Sequence, residues 1–440
     1  MKLSRREFLA TSAAGATMGA MGRSGAVMAQ AVRSPRRAEL PRPRGPRVVV
    51  VGGGWSGLSM AKYLKQEKPD FDVVLVERRA MFMSCPMSNL WLAGLIELEF
   101  LVHSYLDAAR NNGYLYLNAT ATELDRHRRR LYTSEGFIDY DYLVVAPGIG
   151  YDYAAMGVKD PADRARLAQD YPAAFRPGSE HLTLKRKLED FDGGTFVLTV
   201  PPGSYRCPTA PYERACVIAS LFKRDRLKAK VVLLDAHADI VVGRHGFHEV
   251  FRRLYADYIE YVPGFEIETL DPGRKRVVGG VGDVDFDDAA IYPPVRGAEV
   301  LERFGLMDPA DPQKEARIDP LRYHLLGDER VYVTGDSRPM PIAKTGYTAN
   351  SEARYVAKVI AHHAEGRDFT PWYSPEALCY ATVSTHPHQA ISVFAHYIYR
   401  QNEREVVTYT ARPDVDDHWD HAKALSGLEW ARAFYREMFD

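Results

Sequence analysis

The chain has 440 residues, 46% hydrophobic and 26% charged, with 57 Lys and Arg against 58 Asp and Glu. That length and apolar content can bury at least two domain cores, which excludes a peptide module. The formal net charge is -1, and with residues 1–31 contributing +3 the remainder stands near -4, so nothing favours nucleic acid as a partner.

The N-terminus carries paired arginines, Arg5 and Arg6, a weakly apolar stretch from Phe8 to Gly22, and a small-residue segment Ala29-Gln30-Ala31. This is the pattern of a twin-arginine export signal over residues 1–31, and it predicts a periplasmic protein. The apolar stretch of 15 residues is diluted by Gly, Ser and Thr. A membrane span needs ~20 predominantly apolar residues, so no integral span is expected. RSPRRAELPRPRGPR, residues 33–47, holds six arginines and four prolines. It reads as an extended tether, and the linker is set at 32–46.

RVVVVGGGWSGLSMAKYL follows, a strand running into Gly52-Gly53-Gly54-Trp55-Ser56-Gly57 and then a helix. This is GxGxxG in the context that the chemistry requires. Gly52 allows the tight turn, Gly54 lets the backbone approach a pyrophosphate, Gly57 allows close helix packing, and Ser56 lies in the same loop. A second strand, FDVVLVE, ends at Glu77, twenty residues beyond Gly57, where a carboxylate would accept from a ribose hydroxyl. YDYLVVAPG and RVYVTGDSRPMPIAKTGYTANSEARYVAKVI resemble flavoprotein signatures, so the ligand is read as FAD. Gly335 and Asp336 then lie at its ribityl and phosphate region, with Asp336 accepting from ribityl hydroxyls.

The same grammar recurs between those segments. Strand GTFVLTV, a loop, a helix from about Tyr212 to Arg224, and strand KVVLLD ending at Asp235 predict a second Rossmann-like domain. Its loop is not a nucleotide loop. Pro201, Pro202, Pro208 and Pro211 have no N–H to offer a phosphate, and only Gly203 remains of the glycines. No NAD(P) is expected there.

Four cysteines, Cys85, Cys207, Cys216 and Cys379, are too few for a stabilising framework. In an oxidising compartment an accessible pair would join, and spacing does not choose among the three pairings. Cys207 lies in the loop that should face the flavin. Cys216, nine residues later on a helix, reads as an inert buried thiol. No cysteine begins a CxxCH haem motif, and no metal site is expected.

YRCPTAPYERA, taken with MFMSCPMSNLWLAG, IAKTGYTAN and LCYATVSTHPHQAISVFAHYIYR, resembles the flavoprotein subunit of flavocytochrome c sulfide dehydrogenase. The resemblance runs from Val48 to the C-terminus with motifs in matching order. It implies FAD joined through its 8α carbon to Cys85, and a redox disulfide between Cys207 and Cys379 beside the isoalloxazine. It further implies Glu213 as proton acceptor, sulfide as substrate, and Lys344, Tyr347 and Trp430 around the cofactor. Haem would be carried only by a separate c-type cytochrome subunit in a heterodimer. The sequence departs from the family form at Pro86 and its neighbouring methionines, and at His386 and His388, which stand where glycine and tyrosine are expected and read as surface histidines or as altered substrate surroundings.

The expected fold is α/β. Two glutathione-reductase-type Rossmann-like domains, the second inserted in the first, are followed by a small α+β C-terminal domain. The boundaries are 47–154 with 316–365 for FAD, 155–315 for the degenerate NAD-binding-like domain, and 366–440. Two rival functions share this fold: a sulfide:quinone oxidoreductase, and an FAD-binding paralogue acting as a partner in another sulfur-oxidation pathway.

Overall fold

The structure is a computed structural model describing residues 36–369, 371–402 and 407–440. The export signal expected over 1–31 and the first residues of the expected linker lie outside the described residues.

What the structure describes of the linker is not a free tether. The backbone N–H of Ala38 donates to the Phe137 carbonyl at 2.9 Å, and Phe137 donates back to the Arg36 carbonyl. Arg37 pairs with Asp139 at 2.6 Å. The segment therefore adds an edge to the Arg130–Thr133 and Gly136–Asp139 hairpin, because that hairpin leaves backbone donors and acceptors open.

In chain order the first domain begins with β1 (Arg47–Val51), α1 (Trp55–Glu67) and β2 (Asp72–Glu77). The short helix α2 (Ser88–Leu92), then β3 (Leu115–Asn118) and β4 (Tyr142–Val145), complete its N-terminal part. The second domain follows with β5 (Gly194–Val200), α3 (Ala210–Asp225), β6 (Ala229–Asp235), β7 (Ile259–Pro263) and β8 (Asp288–Ala290). The chain then returns through β9 (His324–Leu325), β10 (Asp328–Val333) and α4 (Gly346–Ala364). It ends in the strands β11 (Ala377–Thr385), β12 (His388–Gln401) and β13 (Val407–Asp420) and the helix α5 (His421–Phe439).

Two sheets organise these elements. The order β9-β10-β4-β1-β2-β3 is parallel except for β9, and the apolar runs Val48–Val51 and Tyr142–Val145 of its two middle strands are buried on both faces. The order β7-β6-β5-β8 forms the parallel sheet of the second domain. Two antiparallel segments, Ile149–Tyr151 and Val295–Gly297, carry the chain between them. Strands β11 to β13 make an antiparallel sheet, with β11 packed against α3 and α5 closing on β12. No helix among the described residues is long and apolar enough to cross a membrane.

One glycine fixes the entry to the first domain. A Cβ on Gly57 would collide with the Gly52 carbonyl, so α1 lies closer to the β1 turn than any other residue allows. Gly52 itself sits at φ +100, in the left-handed half of backbone space.

Candidate active site

The ends of β1, β4 and β10 open onto a cleft of about 800 Å³. Gly52 to Ser56, Glu77, Cys85, Gly148, Cys207, Gly335, Asp336 and Gly346 all line it. Gly54 has open space where a side chain would start, and the Arg296 Nε on the same wall is buried without a partner. An exposed glycine backbone at a helix N-terminus and an unpartnered guanidinium N–H, on an arginine whose terminal nitrogen meets Glu302 at 3.0 Å, suit a pyrophosphate, so the cleft fits FAD.

Two of the expected cofactor contacts are taken up by the protein. Glu77 accepts from the Gly53 backbone N–H at 2.7 Å and from Arg79 N–H at 2.9 Å, so it braces the glycine loop as well as facing the cleft. Asp336 accepts from Arg206 Nε at 2.6 Å instead of standing free for ribityl hydroxyls. Ser56 lies on the cleft with its hydroxyl 2.8 Å from that of Thr334. Lys344 is a correction: its ammonium is buried against Glu315 at 2.5 Å and the Asp336 carbonyl at 3.0 Å, outside the cleft lining. A buried cation needs a carboxylate, and Glu315 supplies it from a segment that sequence spacing does not connect with Lys344.

Beyond the cysteine end of the cleft lies a second cavity of about 70 Å³. Cys85, Cys207, Cys379, Glu213, Tyr347 and Trp430 are among its walls. Tyr347 and Trp430 therefore face the sulfur groups, not the large cleft. Trp430 is held at 5.4 Å from Phe434 and 6.0 Å from Tyr347. Cys207 is brought in by its loop, with φ +56, a strained value for a residue with a Cβ. Its backbone N–H donates to the Lys344 carbonyl at 2.8 Å, which holds that conformation. Cys379 comes from β11 and Cys85 from the segment before α2.

All four cysteines are free thiols, so the bond expected between Cys207 and Cys379 is not formed here. Burial pushes the Cys85 thiol up to about 11 and the Cys379 thiol to about 12, and raises Cys207 as well. Neutral thiols are the favoured form in this reduced state. Cys85 Sγ donates to the Phe175 carbonyl at 3.3 Å and lies 4.0 Å from His181 Nε2. Burial holds that imidazole neutral, down to about 3. Cys216 is fully buried inside the second-domain core and lines neither cavity.

Glu213 is not a solvated first-turn glutamate. Burial pushes its carboxyl up to about 7, against the opposing pull of two donors. The Thr382 N–H donates to Oε1 at 2.9 Å and Asn89 Nδ2 to Oε2 at 2.8 Å. A carboxyl that titrates near neutrality on the wall of a thiol cavity has the properties of a general base. Asn89, Arg206, Arg214, His181 and Arg296 were not singled out from the sequence, although Asn89, Arg206 and Arg214 lie inside quoted motifs. His386 and His388 stand at the β11–β12 turn, outside both cavities.

In the second domain the protein occupies its own nucleotide-reading groups. Asp235, at the position that would meet a ribose, accepts from the Tyr212 and Tyr261 hydroxyls at 2.7 and 3.0 Å and from two His237 nitrogens, both at 2.9 Å. The preceding loop spends Ser204 N–H on Gln313 and Arg206 N–H on the Tyr292 hydroxyl. The helix α3 starts at Ala210 rather than Tyr212, with Pro211 accommodated in its first turn, where no N–H is needed.

The model of the pyridine nucleotide-disulphide oxidoreductase family matches residues 46–173, and that of the central part of the sulfide dehydrogenase [flavocytochrome c] flavoprotein chain matches 181–291. The flavoprotein chain of sulfide dehydrogenase [flavocytochrome c] from Chlorobaculum thiosulfatiphilum is 56% identical over 43 residues, 10% of this chain and 90% of that sequence. A mitochondrial sulfide:quinone oxidoreductase from Mus musculus is 24% identical over 68% of this chain and 67% of its own length. A type II NADH:quinone oxidoreductase from Staphylococcus haemolyticus is 22% identical over 74% of this chain and 84% of its own. The solved sulfide:quinone oxidoreductase of Aquifex aeolicus superposes with a TM-score of 0.71 at 19% identity, covering 90% of this chain and 92% of that one.

Proposed function

Since the chain belongs to the FAD-binding disulfide oxidoreductases, we propose that it oxidises sulfide at Cys207 and Cys379 and delivers the electrons to a c-type cytochrome subunit. The observation that carries this reading is the small cavity in which three thiols from three separate segments meet Glu213 at the end of the FAD cleft. The flavocytochrome likeness supports the cytochrome acceptor. The paired arginines Arg5 and Arg6 support a periplasmic location.

In the oxidised state the two cysteines share a disulfide. Hydrosulfide attacks one sulfur, the S–S bond breaks, and a persulfide and a thiolate result. A second hydrosulfide takes the outer sulfur away as a hydrogen disulfide anion and leaves a thiol. Re-forming the disulfide from thiol and thiolate releases one proton, accepted by Glu213, and two electrons. Bound FAD would supply the two-electron acceptor for that step, and Cys85, which lines both the cleft and the cavity, would carry the thioether to it. The saturated Asp235 and the proline loop support a donor other than NAD(P)H.

Quinone is the second reading of the acceptor, favoured because the sulfide:quinone relative matches 68% of this chain and the flavocytochrome relative 10%. Anaerobic titration of the purified protein with sulfide, following flavin bleaching and then reoxidation by cytochrome c or a soluble quinone, tests the assignment. Bleaching by sulfide, its loss in Cys207→Ser, and faster reoxidation by cytochrome are expected. Undiminished bleaching in that variant rejects the cysteine mechanism, and bleaching by NADH rejects the assignment of donor. Yellow colour that leaves the chain on denaturation rejects a Cys85 linkage.

A further inference from the structure

The buried arginines among the described residues are Arg47, Arg214 and Arg338. Arg47 meets Asp72 and Arg338 meets Glu352, each at 2.6 Å. Arg206, on the large cleft, is likewise neutralised by Asp336. Arg214 differs. Its Nε donates to Asn89 Oδ1 at 3.0 Å, and its two terminal nitrogens donate to the Ala173 and Ala174 carbonyls. The ring of Phe175 lies 4.3 Å below the guanidinium carbon. No carboxylate pairs with it among the described residues, and it lines the cavity of the three thiols.

An unpaired buried charge is costly, and its retention calls for a counter-charge that arrives from outside. The carboxyl group on the wall is Glu213, linked to Arg214 through Asn89, whose amide donates to one and whose carbonyl accepts from the other. A proton on Glu213 leaves the lining with one net positive charge. That proton can come from neutral hydrogen sulfide entering the cavity while Glu213 is ionised, which leaves the hydrosulfide anion beside the guanidinium.

We propose that Arg214 is the standing positive charge that makes this cavity select small sulfur anions over neutral thiols of similar size. The proposal rests on the reading of the cavity as the sulfide site, and names the residue that sets its specificity.

Iodoacetate and iodoacetamide have nearly the same shape and attack the same thiolate, so the ratio of their rates cancels thiolate content and reports local charge. The test is that ratio at Cys207 and Cys379 of the reduced holoenzyme, mapped by peptide mass spectrometry, with glutathione as the free-thiol reference. A cation within one cavity radius raises the ratio about ten-fold above glutathione. Arg214→Gln is expected to lower it to the glutathione value and Arg214→Lys to restore it. A wild-type ratio no higher than that of glutathione overturns the proposal without recourse to any variant, and so does an unchanged ratio in a folded Arg214→Gln protein. Sulfide is absent throughout. A raised ratio in a protein that sulfide does not bleach therefore upholds the charge assignment and rejects the sulfide reading, whereas bleaching with a flat ratio does the reverse.

Discussion

Replacing Glu213 with glutamine removes one buried ionisation and keeps the side chain's size. In the folded protein the carboxyl holds its proton until about pH 7, because burial penalises the charged form, against an ordinary value of 4.5. As pH rises through that window the unfolded chain gives up its proton first, so the native state binds more protons and stability falls. The stabilising proton is fully present below 4.5 and its contribution is lost on passing 7. Integrated, the loss is about 3 kcal/mol. Glutamine has no such titration. Any fixed cost of fitting its amide beside Asn89 is the same at every pH and cancels in the difference between the two proteins. Urea unfolding, followed by the fluorescence of the five tryptophans at pH 4.5, 6 and 8, measures that difference. The wild type is expected to lose about 3 kcal/mol relative to Glu213→Gln between pH 4.5 and pH 8. Parallel stability curves would show a solvated glutamate and remove the basis for a general base at this position.

Two further outcomes follow from named contacts. Gly57→Ala should yield a folded but colourless protein, because its methyl group pushes α1 off the Gly52 turn; retention of flavin at wild-type stoichiometry, measured by absorbance, would refute the close-approach argument. Arg338→Met strands the buried Glu352 carboxylate and should cost about 3–5 kcal/mol in denaturant unfolding at neutral pH, whereas a loss under 1 kcal/mol would mean that water reaches the pair.

The parts of the fold legible in the sequence are those fixed by local pattern. Strand β5 runs over the expected residues, Gly194–Val200, because a short run rich in apolar and β-branched residues, opening at a diglycine and closed by a proline pair, favours the strand period. The glycine loop and its acid were legible for the same reason, since close approach of backbone to backbone admits only glycine. The partners of charges were not. Lys344 was assigned to the cofactor because its motif lies near it, but a buried ammonium goes where a carboxylate is, and Glu315 sits 29 residues upstream. Asn89 and Thr382 lie far from Glu213 in the chain, so their joint hold on its carboxyl exists only after three segments pack. The described stretch of the tether failed as a tether because composition says nothing about an unpaired hairpin edge elsewhere in the chain.

The three thiols of the cavity come from the first domain, the inserted domain and the C-terminal sheet, in the chain order Cys85, Cys207, Cys379. During synthesis the last of them emerges only after more than three hundred residues, when Cys85, Cys207 and Cys216 are already present. Cys216 is removed from the contest by the core of the second domain. A half-made chain has no working site and few ways to form a wrong bond. The reactive constellation is thus a certificate of completed folding, withheld until the final sheet has docked.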